Sequence, residues 1–389
     1  MITVTTADSA LKSFYLDAVV DALNMEANPF LAQIEKSTND VVGKDVRRVV
    51  RYGVNGGLKA GSEIGDLPEA SSSNYAQFVL PLKNLYGTIE ISDKAIRASS
   101  SGDGAFVNLL NEEMNSLIKS ASYNLGRMLY GDGSGMLGTV DDYYEDKIVL
   151  NTTKNVAEGM IIDVYTKEGE PISSLAGRKI ISVNRNTREI VLEGGEVECL
   201  EIDVGCPVYM KDSKDKELTG LKAIFSDKDL YGISRENKKW LEPYIAEKVG
   251  NISETIIQKA IDEIEEESGS KVNFIVCSWG VKRALAEFFR NNSTYLQTME
   301  IKGGFNAMNF NGIPIVADRF CPNGTMFLLN TKDFKMHQLC DWEWIEGEDG
   351  KILKQVPGKP VFTATLVKYA ELLCDRPCGQ GMLTGINEK

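Results

Sequence analysis

The sequence has one histidine, His337, among 389 residues. A Ser-His-Asp or Cys-His arrangement would have to use it. Its neighbours Met336 and Gln338 build no motif around it, so no catalytic role is expected. There is no G-x-x-x-x-G-K-[ST] loop and no H-E-x-x-H helix, which removes the commonest signatures of nucleotide and zinc chemistry. Carboxylates are plentiful, yet none stand in a recognisable paired context; such pairs can also form in space, so a hydrolase stays open at this point. No apolar run reaches the ~18–20 residues that span a bilayer. The first residues, MITVTTADSALKSFYLD, lack a basic stretch followed by an apolar core, so no secretory signal is expected and synthesis in the cytosol is.

Positive charge is also in short supply. Lys and Arg number 43 against 56 Asp and Glu, a formal net charge of −13. Tight sequence-independent binding of nucleic acid needs a dense cationic surface to displace phosphate counterions, and this chain lacks that balance. The seven cysteines are an odd number with mostly apolar neighbours (Val276, Leu339, Leu373). Buried, reduced thiols fit that pattern best. Cys374 and Cys378 have no second Cys/His pair at ligand spacing, so no metal site is expected, and nothing calls for a cofactor.

What is present is the composition of a folded protein, 43% hydrophobic and 25% charged, in a chain long enough for two or three cores. Residues 10–36 carry a helical stripe through Leu11, Tyr15, Ala18, Val19 and Ala22, broken at Asn28-Pro29. A strand is expected over 46–54, with Arg47, Arg48 and Arg51 among valines, and a second over 75–91. Between them GGLKAGSEIGDLPEASSS (56–73) is rich in Gly and Ser. The reading is a two-stranded arm with a polar tip. An isolated hairpin is marginal in water, so such an arm either lies against another molecule or is an ordinary surface hairpin. Residues 104–130 carry the strongest helix signal, through Phe106, Leu109, Leu110, Leu117, Ala121, Leu125 and Met128. Gly131, Gly133 and Gly135 end it; GDGSG (131–135) follows a helix instead of opening one, the wrong context for a phosphate cradle.

From 136 to 222 short strands alternate with turns: KIVL (147–150), MIIDVY (160–165), RKIISV (178–183), REIVLE (188–193) and CPVYMK (206–211). Their spacing predicts a small antiparallel barrel or sandwich. Beyond Leu221 the texture is α/β. Ser253 caps a helix with Ile256, Ile257, Ala260, Ile261 and Ile264 on its core face and Asp262, Glu263, Glu265, Glu266 and Glu267 on a solvated one. NFIVCS (273–278), GIPIVA (312–317) and TMFLLN (325–330) read as buried strands, and 279–289 as an amphipathic helix. Two long strands close the chain, at 334–345 and 360–374.

That order of elements resembles the HK97-like major capsid proteins of tailed phages. NGIPIVADRFCPNGTMFLLNTKDFKMHQL (311–339), FTATLVKYAELLCDRPCGQGMLTG (362–385) and SEIGDLPEASSSNYAQFVLPLKNLYGTIEISDKAI (62–96) are the stretches most similar to the family's pattern. The resemblance implies an α+β HK97-like fold. It assigns an N-arm (1–40), an extended E-loop (41–90), a P-domain built from the spine helix (91–135) and strands (331–375), and an A-domain with its connections (223–330). The last residues (376–389) return to the A-domain. Residues 136–222 depart from the minimal pattern and would be an inserted β-barrel-like domain on the outer shell. The implied function is structural: self-assembly of pentamers and hexamers into an icosahedral head around double-stranded DNA, with no enzymatic step. Arg47, Arg48, Arg51, Lys59, Glu63 and Asp66 would make the E-loop's contacts with neighbouring copies. Some members cross-link an E-loop lysine to a neighbour's asparagine with help from a glutamate. Lys59, Glu346 and Glu348 are present, but 346–358 has no Asn, so no self-cross-linking is expected. A separate scaffolding protein, a portal and decoration proteins are the implied partners, and the virion the implied location. An encapsulin-type compartment, a tail component and a cytosolic hydrolase are the competing readings.

Overall fold

The computed structural model describes residues 28–94, 105–144, 146–194, 202–291, 298–347 and 350–389. The helix expected over 10–36 falls largely outside them. Where the chain becomes described it is not helical: Leu31–Gln33 form a single 3-10 turn and Glu35–Ser37 a strand, β1.

The next stretch forms the arm. β2 (Val41–Val42) and β4 (Asn74–Pro81) flank β3 (Asp45–Tyr52) in an antiparallel three-stranded sheet. The single strand expected over 75–91 is in fact two. Pro81 has no N–H to continue the ladder, and β5 (Lys83–Ser92) leaves β3 to pair elsewhere. α1 (Ala105–Met128) follows, close to the expected 104–130, and packs on β5. Gly133 and Gly135, at φ +85° and +80°, turn the chain after it.

Six strands then close into an antiparallel barrel: β6 (Met136–Tyr144), β7 (Lys147–Leu150), β8 (Ile161–Val164), β9 (Arg178–Asn184), β10 (Glu189–Leu192) and β11 (Pro207–Met210). The order is β10-β7-β6-β11-β8-β9, with β9 and β10 pairing to complete the ring. Alternate residues point inward and fill it, among them Leu137, Ile148, Leu150, Ile162, Val164, Ile190 and Val208. The chain leaves the barrel hard against the end of α1. Arg127 and Glu217 form a buried two-pronged ion pair, and Leu221 N–H donates to the Leu129 carbonyl at 2.8 Å. A Cβ on Gly220 would lie 2.6 Å from Leu129 O and 2.7 Å from Gly131 O, so only glycine fits this crossing. On the barrel's other flank the Tyr123 hydroxyl donates to the Lys154 carbonyl, and Lys154 Nζ reaches the Cys321 carbonyl and Asn323 Oδ1.

After the short helix α2 (Leu221–Ile224) comes a seven-stranded mixed sheet. It uses β12 (Tyr244–Ala246), β13 (Phe274–Cys277), β14 (Thr298–Ile301), β15 (Phe305–Phe310), β16 (Ile313–Ala317), β17 (Met326–Leu329) and a last strand, β21 (Gly381–Leu383). The order is β12-β21-β17-β13-β16-β15-β14. α3 (Glu254–Ser268) and α4 (Trp279–Asn291) cover one face, burying Ile257, Ile264, Val281 and Leu285 against Ile275 and Leu328. The other face, with Phe274, Val276, Phe327 and Leu329, joins the core that includes α1. Covering on both sides explains why β13 and β17 are uninterrupted apolar runs. Ser253 caps α3 by accepting from Ile256 N–H, and Gly269 ends it at φ +65°.

The two long strands are β18 (Phe334–Trp344) and β20 (Val361–Cys374), with β19 (Lys354–Gln355) in the connection. β20 pairs antiparallel with β18 on one side and with β5 on the other, while β1 runs parallel to β18. Inside this sheet Lys368, 1% exposed, donates to Gln338 Oε1 and Asp341; Asp341 also takes Lys36 of β1 at 2.7 Å. Burial works against that carboxylate, but Lys368 and Lys36 outweigh it and hold Asp341 well below the usual range. His337 is fully buried in β18, and neither ring nitrogen has a hydrogen-bond partner among the described residues. Burial lowers its pKa, as expected of a packed neutral imidazole.

Candidate assembly interface

The arm is built by strict alternation along β3 and β4. Val46, Arg48, Val50 and Tyr52 face the body opposite Leu80, Phe78, Ala76 and Asn74. Arg47, Val49 and Arg51 face outward beside Val79, Gln77 and Tyr75. The three arginines are thus divided. Arg47 and Arg51 stand on the exposed face. Arg48 turns inward and is held by Asp375 and Asp40 of its own chain. Lys59, Glu63 and Asp66 lie exposed in the tip.

Sequence reading weighted the charged residues of this arm and passed over its apolar ones. Val54, Leu58 and Leu67 are each 88% exposed and Ile64 is 99% exposed. Val49 and Tyr75, on the outward face of the strands, are 60% and 63% exposed. The available signal was four large aliphatics set within a Gly/Ser-rich segment.

The base of the arm is fixed firmly. Tyr52 stacks on Trp240 with ring centroids 4.7 Å apart and 7° between planes, and Phe78 packs on Tyr231 at 5.1 Å. Val79 N–H donates to the Tyr231 carbonyl, and Cys374 N–H to the Tyr231 hydroxyl at 3.0 Å. Arg235 organises the loop that carries these rings; its guanidinium donates to the carbonyls of Lys228, Leu241, Ala223 and Ile224.

Beside α1 lies a groove of about 780 Å³, open to solvent between β5, the helix and the loop leaving the barrel. Its floor is largely apolar, with Leu85, Leu117, Leu125, Met128 and Trp342; Lys83, Lys211 and Lys216 are among its polar residues. The GDGSG segment forms a tight turn in which Asp132 Oδ1 accepts from Ser134 N–H at 3.1 Å. Cys374 and Cys378 sit at the end of β20 and in the next turn, their thiol pKa values pushed up by burial. No group of three or more His, Cys, Asp or Glu suited to a metal occurs among the described residues.

Comparison with known proteins bears on this geometry. The sequence pattern of the SU10 major capsid protein family matches residues 211–351, from the barrel exit through most of the seven-stranded sheet and β18 into the connection that follows it. No curated protein sequence matches the chain. Among solved structures, the capsid asymmetric unit of cyanophage A-1(L) superposes with a TM-score of 0.54 at 11% identity, covering 97% of this chain and 95% of that one. The capsid of an empty GTA particle superposes with a TM-score of 0.50 at 9% identity, covering 99% of each chain. At such identities the likeness speaks for the fold, and it runs the length of both chains. The chain thus has the HK97-like capsid fold along its length and, across residues 211–351, the sequence pattern of the SU10 major capsid protein family, which together support a capsid shell subunit.

Proposed function

We propose that this chain builds the icosahedral head of a tailed phage around double-stranded DNA, and that its arm is the E-loop, lying over a neighbouring copy. The observation that carries the second part is the tip: Ile64 and Leu67 stand almost fully exposed on an arm whose base is tightly clamped. Apolar surface displayed this way gains stability only when covered. Pentamers and hexamers of one chain need contacts that repeat around a ring and tolerate small changes of angle. Many weak contacts of this kind make a stable shell.

In this reading residues 1–40 are the N-arm and 41–90 the E-loop. The P-domain takes α1 with β18 and β20, the last of which pairs with β5 at the end of the E-loop segment, and the A-domain takes the seven-stranded sheet. The barrel is an inserted domain displayed on the shell exterior. Arg47, Arg51, Lys59, Glu63 and Asp66 flank the apolar tip and set its register on the neighbour. The chain performs no catalysis and holds DNA without reading its sequence; a net charge of −13 suits a wall that must not grip its polyanion. A separate scaffolding protein, a portal and decoration proteins complete the assembly, which takes place in the cytoplasm of a host bacterium.

The test removes residues 57–72. The expected product is a folded subunit that no longer forms shells. Normal shells in electron micrographs of that variant would refute the E-loop assignment.

A further inference from the structure

We infer that Arg48 is a positioning residue: with Asp375 and Asp40 it forms a latch that sets the angle of the arm on the body. The inference rests on the arm being the contact between copies.

The geometry is that of a mounting point. Arg48 sits midway along β3, on the face turned to the body. Its Nε and Nη2 donate to the two oxygens of Asp375, each at 3.3 Å, and its Nη1 donates to Asp40 Oδ2 at 3.4 Å. A planar guanidinium held on two edges fixes direction as well as distance. The two carboxylates come from the end of the long-strand sheet and from the turn that leads into the arm. Asp375 follows β20 directly, and its N–H donates to the Asp333 carbonyl at 2.8 Å. Asp40 lies between β1, which pairs with β18, and β2.

A second mounting point lies four residues further out, where Tyr52 stacks on Trp240. At ~3.3 Å per residue the two points are about 13 Å apart along the strand. Two separated attachments resist bending where one would act as a pivot. The lever matters: a rotation at the base displaces the tip in proportion to its distance from the base, and a shift of about 4–5 Å already exceeds an apolar contact.

The exposure of the latch argues for position over stability. Arg48, Asp375 and Asp40 side chains are 34%, 24% and 31% exposed. Pairs that remain partly open to water are screened, so their contribution to folding is discounted, whereas the direction imposed by a guanidinium held on two carboxylates is not.

The experiment compares R48E, the milder R48Q and the exchange R48D/D375R with the parent chain and the 57–72 deletion. Each is read by thermal unfolding of the unassembled subunit and by counting closed particles in electron micrographs. We expect unfolding midpoints for R48Q within a few degrees of the parent, at least a tenfold drop in closed particles for R48E and a smaller drop for R48Q. Restoration by the exchange supports a latch acting through its charge geometry. Parent-like shells from R48E and R48Q, alongside failed assembly of the deletion, overturn the latch and leave the arm assignment standing. Parent-like shells from the deletion as well overturn both.

Discussion

The carboxylate of Glu217, on the loop that leaves the barrel, is gripped by the guanidinium of Arg127 in the last turn of α1, and the two side chains are 4% and 3% exposed. One contact of the pair is 2.8 Å long. This is the junction between the barrel and the spine helix. Removing one partner leaves the other charged and buried, so Glu217→Ala should cost about 3–5 kcal/mol in denaturant unfolding. Replacing both at once, with Arg127→Met and Glu217→Leu, should cost clearly less than Glu217→Ala alone. Equal losses in the single and double variants would show that the pair is not the stabilising unit.

Glu371 on β20 supplies a pH dependence. Its side chain is 1% exposed; Oε1 accepts from Thr219 N–H at 2.7 Å and from Leu372 N–H at 3.0 Å, while Oε2 has no partner among the described residues. Burial raises its pKa from 4.5 to about 7. A carboxyl whose folded pKa is raised favours folding in its protonated form. That contribution is fully present below pH 4.5 and is lost as pH rises through about 7. Glu371→Gln cannot ionise. Its stability relative to the parent should therefore climb between pH 4.5 and about 7 and then level off. Melting temperatures of the unassembled subunit across that range decide it; a difference that stays flat with pH would contradict the assignment.

The arm tip separates folding from assembly. Ile64→Asp and Leu67→Asp alter side chains that are 99% and 88% exposed, so the subunit's melting temperature should stay within about 2 °C of the parent. A covered contact, in contrast, cannot accept a bare carboxylate. Light scattering should show the particle fraction falling at least tenfold. Unchanged assembly would mean the tip is uncovered in the shell.

Much of this fold could be read from local pattern. Runs such as FIVC and MFLL are buried on both sides and declare themselves as strands, and the stripe ending in Leu125 and Met128 declares α1. β6 was missed because Gly138, Asp141 and Asp142 interrupt its apolar residues, and its membership depends on pairing with β7 and β11. The split between β4 and β5 was missed because a change of partner is a tertiary event; Pro81 was the local clue. Period-two alternation separates Arg48 from Arg47 and Arg51, but which face meets the body depends on Asp375, 327 residues away in sequence. The exposed tip aliphatics left a composition signal and no periodicity.

The central claim is that the arm of one copy is covered by another. Electron cryo-microscopy of particles formed by the chain, produced with and without a scaffolding partner, measures this directly. The expected result is a closed shell in which the segment around Ile64 and Leu67 lies over the adjacent copy. A 42.9 kDa monomer under both conditions, or particles whose arms fold back on their own body, would contradict it.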